Sequence, residues 1–318
     1  MDANNPSGAS RRNVGICVST YKRADLLGQL LAGLASLTFR KGPEPQITVV
    51  VVDNDASRSA EEVCRLARLP WPLKYVVETR RGIAQARNRA IREAGGADFI
   101  AFIDDDEFPA PVWLDELLSA QVRFAADVVC GAVVPNFAAD VPAWVKAGRF
   151  FERPIYASGH SLEKCSTNNV LVRRGVFAVV QSFDERFALT GAEDTQFFLR
   201  VRQAGYTIVS SAEARVYEPV SSSRGNLRWV LRRAYQSGNS WVLCELSLDR
   251  RTSTGIIRMA KACAWIALGA VSACVSPFFG MAAVARSLRN LCLGMGMLTA
   301  LAGQNFQPYQ SAGTDSAS

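Results

Sequence analysis

Histidine is almost absent from this chain, with His160 the only one among 318 residues. A histidine-rich metal cluster is thereby excluded, and a lone imidazole in a loop reads as surface. The eight cysteines, at 17, 64, 130, 165, 244, 263, 274 and 292, include no pair with zinc-ligand or dithiol-redox spacing. Several sit inside apolar runs, which reads as a set of reduced, buried thiols. The first thirteen residues have no apolar core segment, so no cleaved signal peptide is expected and the catalytic part belongs in the cytoplasm. No zinc-finger spacing, basic zipper or aromatic-plus-basic strand pair occurs, so nucleic acid is not an expected partner.

The chain does have ample apolar material, at 49% hydrophobic residues, and a net charge of +7. Short runs of β-branched residues alternate with helical periodicity, which is the signature of an α/β fold. Val14–Val18 reads as a strand and Asp25–Leu37 as a helix with leucines at helical spacing. Ile47–Val52 reads as a buried inner strand ending in Asp53. A helix near Ala60–Leu66, a strand Leu73–Val77 and a Gly82-led helix follow, then the strand Phe99–Ile103. Beyond it come a helix Val112–Phe124, a strand Val128–Val134 and an aperiodic segment from Asn136 to Leu162 suited to one side of a cleft. Ser166–Val172 returns to the sheet with small polar residues able to hydrogen-bond a sugar, and Gly205–Val209 and Ala214–Val220 are further strands.

Chemistry is densest at Asp104-Asp105-Asp106-Glu107, four carboxylates directly behind an apolar strand. Like charges in a row need a hard divalent cation, solvent or neighbouring cations to neutralise them, and an acidic turn ahead of a helix is the simpler alternative. Two further features tip the balance. Asp53 ends a neighbouring strand, and Arg87 lies on a helix whose Gly82-led N-terminus can face a phosphate. Later, Glu193-Asp194 opens an amphipathic helix that buries Phe197, Phe198 and Val201, which would fix the two carboxylates against a cleft.

Taken in order, Val18-Ser19-Thr20-Tyr21-Lys22-Arg23, Val51-Val52-Asp53-Asn54-Asp55, Gly82-Ile83-Ala84-Gln85-Ala86-Arg87-Asn88, the acidic cluster and Gly191-Ala192-Glu193-Asp194 resemble glycosyltransferase family 2, specifically its bacterial surface-polysaccharide enzymes. The resemblance implies a GT-A fold, a Rossmann-like mixed sheet flanked by helices, over roughly residues 13–240. It implies an inverting, metal-dependent hexosyltransferase that moves a sugar from a nucleotide-diphosphate donor, a UDP-sugar first, to a hydroxyl of a saccharide or lipid-linked acceptor. Under it Thr20, Arg23, Asp53, Arg87, Asp104 and Asp105 bind the nucleotide sugar. Asp106, Asp104 and Glu218 hold Mn²⁺ or Mg²⁺. Asp194 is the general base, with Glu193 its competitor. The processive enzymes' Gln-x-x-Arg-Trp is missing, so one sugar is transferred per encounter. The alternatives are a non-catalytic GT-A scaffold in a membrane assembly complex and a nucleotidyltransferase, although Ser19-Thr20-Tyr21 is not the Gly-rich loop of the latter.

Asn226–Leu243 carries Arg228, Arg232 and Arg233 among aromatics, as a helix either lying on an anionic membrane or covering the cleft. Ala262–Ala285 then runs 24 residues without a charge, interrupted by Pro277 and flanked on both sides by Lys and Arg. It is long enough to span a bilayer, to form a re-entrant or monotopic anchor, or to pack as a helical pair on the enzyme. Gly269 with Ala273 and Gly294 with Leu298 offer little as packing motifs. The expected organisation is therefore a disordered 1–12, a catalytic domain 13–240, a helical membrane-associated tail 241–303 and a disordered 304–318, at the cytoplasmic face of the inner membrane.

Overall fold

A computed structural model describes residues 11–249 and 252–307. The expected disorder of the termini therefore falls largely outside the described residues. In chain order the elements are β1 (Asn13–Thr20), α1 (Ala24–Ala35), β2 (Gln46–Asp53), α2 (Glu61–Leu66), β3 (Leu73–Val77), α3 (Ile83–Glu93), β4 (Phe99–Ile103), β5 (Phe108–Pro109) and α4 (Trp113–Phe124). There follow β6 (Val128–Phe137), α5 (Ala143–Gly148), β7 (Asn169–Arg173), α6 (Arg174–Val180), α7 (Glu193–Gln203), β8 (Ile208–Val220), α8 (Leu227–Leu248), α9 (Thr252–Val275) and α10 (Met281–Leu301).

The eight strands form one sheet in the order β3-β2-β1-β4-β7-β6-β8-β5. β3, β2, β1 and β4 are parallel, whereas β7 is antiparallel to both its neighbours. This is the expected mixed sheet. Period-two side-chain alternation explains why β2 is apolar throughout. Val49 and Val51 enter the core beneath α1 and α4, while Val50 and Val52 enter the opposite core with Ala86, Phe102 and Phe197. The chain moves outward from β1 to β2 and β3, then returns to place β4 on β1's other side. That reversal opens a crevice at the C-terminal ends of β1 and β4, where Thr20 and Asp104 stand.

The two late strands expected at Gly205–Val209 and Ala214–Val220 are one strand, β8, whose pairing with β6 skips between Gly131 and Ala132. A Cβ on Gly131 would lie 2.3 Å from the Ala214 carbonyl oxygen, so only glycine fits this irregularity. Asn169 stitches it, donating to the Ala132 and Ala214 carbonyls at 2.9 and 2.8 Å and accepting from the Trp113 indole at 2.7 Å. Its amide is thus spent inside the fold, which corrects the sugar-bonding role expected of it.

Two further expectations change. Cys130 and Cys165 are joined as a disulfide, with Cα atoms 6.3 Å apart, because the β6–β7 pairing brings the segment before β7 alongside β6. Cys263 and Cys274 are exposed on α9 rather than buried. Cys17, Cys64 and Cys244 are buried free thiols, and burial raises all three.

The helix α8 runs unbroken through residue 240, so no element boundary falls where catalytic domain and tail were expected to part. One side of it packs over the cleft and on α10, while Arg228, Arg232 and Arg233 remain exposed. Gln236 donates to the Thr190 carbonyl at 3.3 Å, Asn239 donates to Gln304 at 2.8 Å, and Trp229 stacks on Phe151 with ring centres 4.8 Å apart. Glycines set the crossings beyond it. A Cβ on Gly238 or Gly296 would collide with the backbone of α10 or α8, and one on Gly269 or Gly294 with the backbone of α10 or α9. Gly269 and Gly294 are therefore packing positions after all, at helix crossings that no i,i+4 partner within one helix reveals.

Opposite these contacts α9 shows an apolar surface, with Ile256, Leu268 and Val271 exposed, and Phe278 and Phe279 are 86% and 74% exposed at the turn into α10. Thr252–Phe279 is the one stretch among the described residues long and apolar enough to cross a membrane.

Candidate active site

The crevice is a trench of three adjoining cavities of about 760, 320 and 680 Å³. The first lies at the C-terminal ends of β1 and β4, beneath the N-terminus of α3. Thr20, Arg23, Gly82 and the whole acidic run line it, faced by Glu218 and Arg224. Gly82 adopts φ 141°, and its N–H donates to Asn54 Oδ1 at 2.8 Å, so the turn that starts α3 is tied to the end of β2.

The four acidic residues divide by role. Asp105 is buried, accepting from Thr20 Oγ1 at 2.7 Å and lying 3.1 Å from Arg23, while burial pushes its carboxyl up to about 6 against the pull of Arg23. Glu107 is buried too, accepting from Asn168 at 2.7 Å, and burial followed by the Asp104 charge raises it well above the carboxylate range. These two anchor the turn to β1 and to the start of β7. Asp104 and Asp106 are the half-exposed pair in the cleft. Asp106 is raised by burial and then by Asp104, with Arg23 at 3.2 Å and Arg224 at 3.9 Å partly compensating.

Asp53 is not part of this lining. It is fully buried, and its two oxygens accept from the Asp55 N–H at 3.0 Å, the Ala60 N–H at 2.8 Å and Tyr75 Oη at 2.9 Å. A carboxylate so committed shapes the β2–α2 loop, which corrects the expectation that it accepts from a bound base. Glu218 does reach the cavity but as an ion-pair partner, bound by Arg224 and lying 3.4 Å from Arg153. Among the described residues no group of three His, Cys, Asp or Glu side chains is arranged so that it could hold a metal ion. That corrects the three-carboxylate metal site. What remains, the two half-exposed carboxylates Asp104 and Asp106 beside an open cavity, fits a hard cation that completes its shell from substrate phosphates and water.

The middle cavity joins the acidic turn to α7. Asp104, Arg87, Glu193, Asp194 and Thr195 line it together. Arg87 is buried, ion-paired with Glu193 through Nη1 and 3.2 Å from Asp104 through Nη2. Burial raises Glu193 while Arg87 lowers it. Its neighbour Asp194 is half-exposed, and Oδ1 accepts from the Thr195 N–H at 2.5 Å. The adjacent carboxylates therefore differ in access. Glu193 faces Arg87, and Asp194 faces the cavity.

Sequence reading overlooked Arg153 and Arg224, which line the trench from the 149–168 segment and the β8–α8 loop, joined by Arg233 from α8. Arg233 had been noticed only as part of a cationic helix face. Its direction is set by the packing of α8 on α10, which local pattern does not carry.

The glycosyl transferase family 2 model matches residues 15–180. The succinoglycan biosynthesis protein ExoM of Rhizobium meliloti is 34% identical over 240 residues, covering 74% of this chain and 75% of ExoM. Among solved structures, the mannosyltransferase PcManGT of Pyrobaculum calidifontis, in complex with GDP-Man and Mn²⁺, superposes with TM-score 0.55 at 20% identity, covering 95% of this chain and 79% of that one. S. aureus TarS 1-349, in complex with UDP, superposes with TM-score 0.50 at 16% identity over 92% of both chains.

Proposed function

The chain belongs to glycosyltransferase family 2, and on that premise we propose that it transfers a sugar, with inversion, from a nucleoside-diphosphate donor to a hydroxyl of a saccharide or lipid-linked acceptor. The carrying observation is that Asp104, Arg87 and Asp194 line one chamber of about 320 Å³ between the acidic turn and a second large cavity. The donor occupies the cavity over β1 and β4, its diphosphate beside the N-terminus of α3 and near Arg23, Arg87 and Arg224. A uridine donor is the first to test. Asp104 and Asp106 would hold Mn²⁺ or Mg²⁺, which when bound offsets the charge developing on the departing diphosphate.

Asp194 accepts the acceptor hydroxyl's proton as that oxygen attacks the anomeric carbon from the face opposite the leaving group. With Oδ1 held by the Thr195 N–H, Oδ2 is left for the proton. Glu193 acts through Arg87, holding its guanidinium between α7 and the acidic turn. One base and one displacement give inversion without a covalent intermediate.

The relationship to a succinoglycan biosynthesis protein supports a place in cell-surface polysaccharide synthesis. The exposed apolar face of α9 and the Phe278-Phe279 turn support membrane association, placed at the cytoplasmic face. The division into a catalytic domain and a membrane-associated helical tail is proposed with a joint in α8 rather than a linker. Anomeric proton NMR of the product tests the chemistry: the coupling opposite to that of the donor sugar is expected, and retained configuration would overturn the inverting reading.

A further inference from the structure

We infer that the 680 Å³ cavity between the 153–166 segment and α8 is the acceptor site, and that it selects a saccharide carrying a negative charge. The inference rests on the transferase reading and names the substrate class of its second half. Position is the first ground. The cavity shares Arg153, Ser166, Asn168, Gly191, Thr195 and Arg233 with the chamber that holds Asp194, so an occupant reaches the base without leaving the trench. Its volume is that of a small-molecule site.

Charge is the second ground. The ionisable cations in its lining are Lys164, Arg233 and Arg153, the last also 3.4 Å from Glu218, against the single carboxylate Glu163. Glu163 is 86% exposed and lies 3.6 Å from Arg202, so its charge is directed elsewhere. The donor cavity, by contrast, sets five carboxylates, Asp104 to Glu107 and Glu218, against six Lys and Arg side chains. The carboxylates that balance the cations at the donor end are thus missing from the lining of this end.

Shape chemistry is the third ground. Tyr156 is stacked on His160 with ring centres 4.7 Å apart, and Trp241 faces the same cavity, so flat apolar surfaces stand beside hydrogen-bond donors as saccharide binding requires. Lys164 Nζ lies 4.0 Å from the Trp241 ring centre, and Arg258 of α9 lies 5.9 Å from it. A sugar's anionic group at this end meets Lys164 and Arg233 and lies beside the helix with the exposed apolar face. The charge can come from a phosphate that links the sugar to lipid or from an acidic sugar.

The test measures binding of four soluble probes to the full chain by ligand-observed NMR: glucose 1-phosphate, methyl glucuronide, methyl glucoside and inorganic phosphate. An anionic sugar is expected to bind about tenfold more tightly than methyl glucoside, the preference expected from a charge-assisted contact, and Lys164→Ala or Arg233→Ala to remove that preference. Preference for the phosphate probe points to a lipid-phosphate source and preference for the glucuronide to an acidic sugar. Equal binding of neutral and anionic sugars, a preference unaltered in both variants, or inorganic phosphate binding as tightly as either anionic sugar would overturn the proposal. Donor hydrolysis by the wild-type protein is measured separately. Its absence alongside Lys164-dependent probe binding would sink the transferase reading and leave the anion-selective site standing.

Discussion

Arg87 and Glu193, 106 residues apart in sequence, form a buried ion pair that ties α3 to the first turn of α7. The same guanidinium reaches Asp104 at 3.2 Å, so the donor end and the base end of the trench share one cation. Neighbouring carboxylates at 193 and 194 should consequently fail in different ways. Glu193→Ala strands the buried Arg87 charge beside its remaining contacts and is expected to destabilise the fold by about 3 kcal/mol. Asp194→Asn should leave the melting temperature near that of wild type while lowering kcat by about 10²- to 10⁴-fold. Thermal melts alongside turnover separate the two. Equal loss of stability in both would contradict the division of labour.

The acidic turn predicts a second contrast. Asp106→Ala removes half of the exposed carboxylate pair, so activity should need a much higher Mn²⁺ concentration and chelation should abolish it in wild type. Asp105→Ala, in contrast, breaks the Thr20 and Arg23 contacts that hold the turn, and should cost about 1–3 kcal/mol of stability. Metal titrations of rate and chemical unfolding read the two effects independently.

Asp53 offers a third prediction. Replacing it with Ala leaves the Ala60 and Asp55 N–H groups and the Tyr75 hydroxyl without their acceptor, at about 1–3 kcal/mol for each group left unsatisfied. Stability should fall sharply, while the relative affinities for UDP and GDP in what remains folded stay unchanged. A switch in nucleotide preference with stability intact would restore the base-binding role.

At the C-terminal hairpin, Gly294→Ala would place a methyl 2.7 Å from the Ala262 carbonyl and within reach of Ile266. Separation of α9 from α10 is expected, at about 1–3 kcal/mol, read by proteolysis at the 276–280 turn. On the opposite side, changing Phe278 and Phe279 together to Ser should reduce co-sedimentation with anionic vesicles. Undiminished sedimentation would argue against lipid contact at that turn.

Much of the sheet was legible because β2 and β4 are apolar runs with unambiguous ends, and the order of their polar termini located the crevice. Asp104 and Asp106 stood out as carboxylates behind β4, and Arg87 and Asp194 as polar residues in the first turns of α3 and α7, and the cavities they line are the ground for the roles proposed for them. Asp53 misled because a strand-end carboxylate looks the same whether it faces ligand or loop, and the path of the loop through Asp55 and Ala60, with Tyr75 on the adjacent strand, decides it. Glu218 misled similarly, since Arg153 lies 65 residues away in an aperiodic segment. The glycine crossings of α8, α9 and α10 were invisible because each contact joins different helices, whereas spacing reports only on one.

The central claim is most directly tested by nucleoside-diphosphate release from a panel of nucleotide sugars in Mn²⁺, comparing the purified wild-type chain with Asp106→Ala. Release from at least one donor by wild type, and loss of it in the variant, is the predicted result. No release from any donor, or release at the same rate by both proteins, would contradict the account.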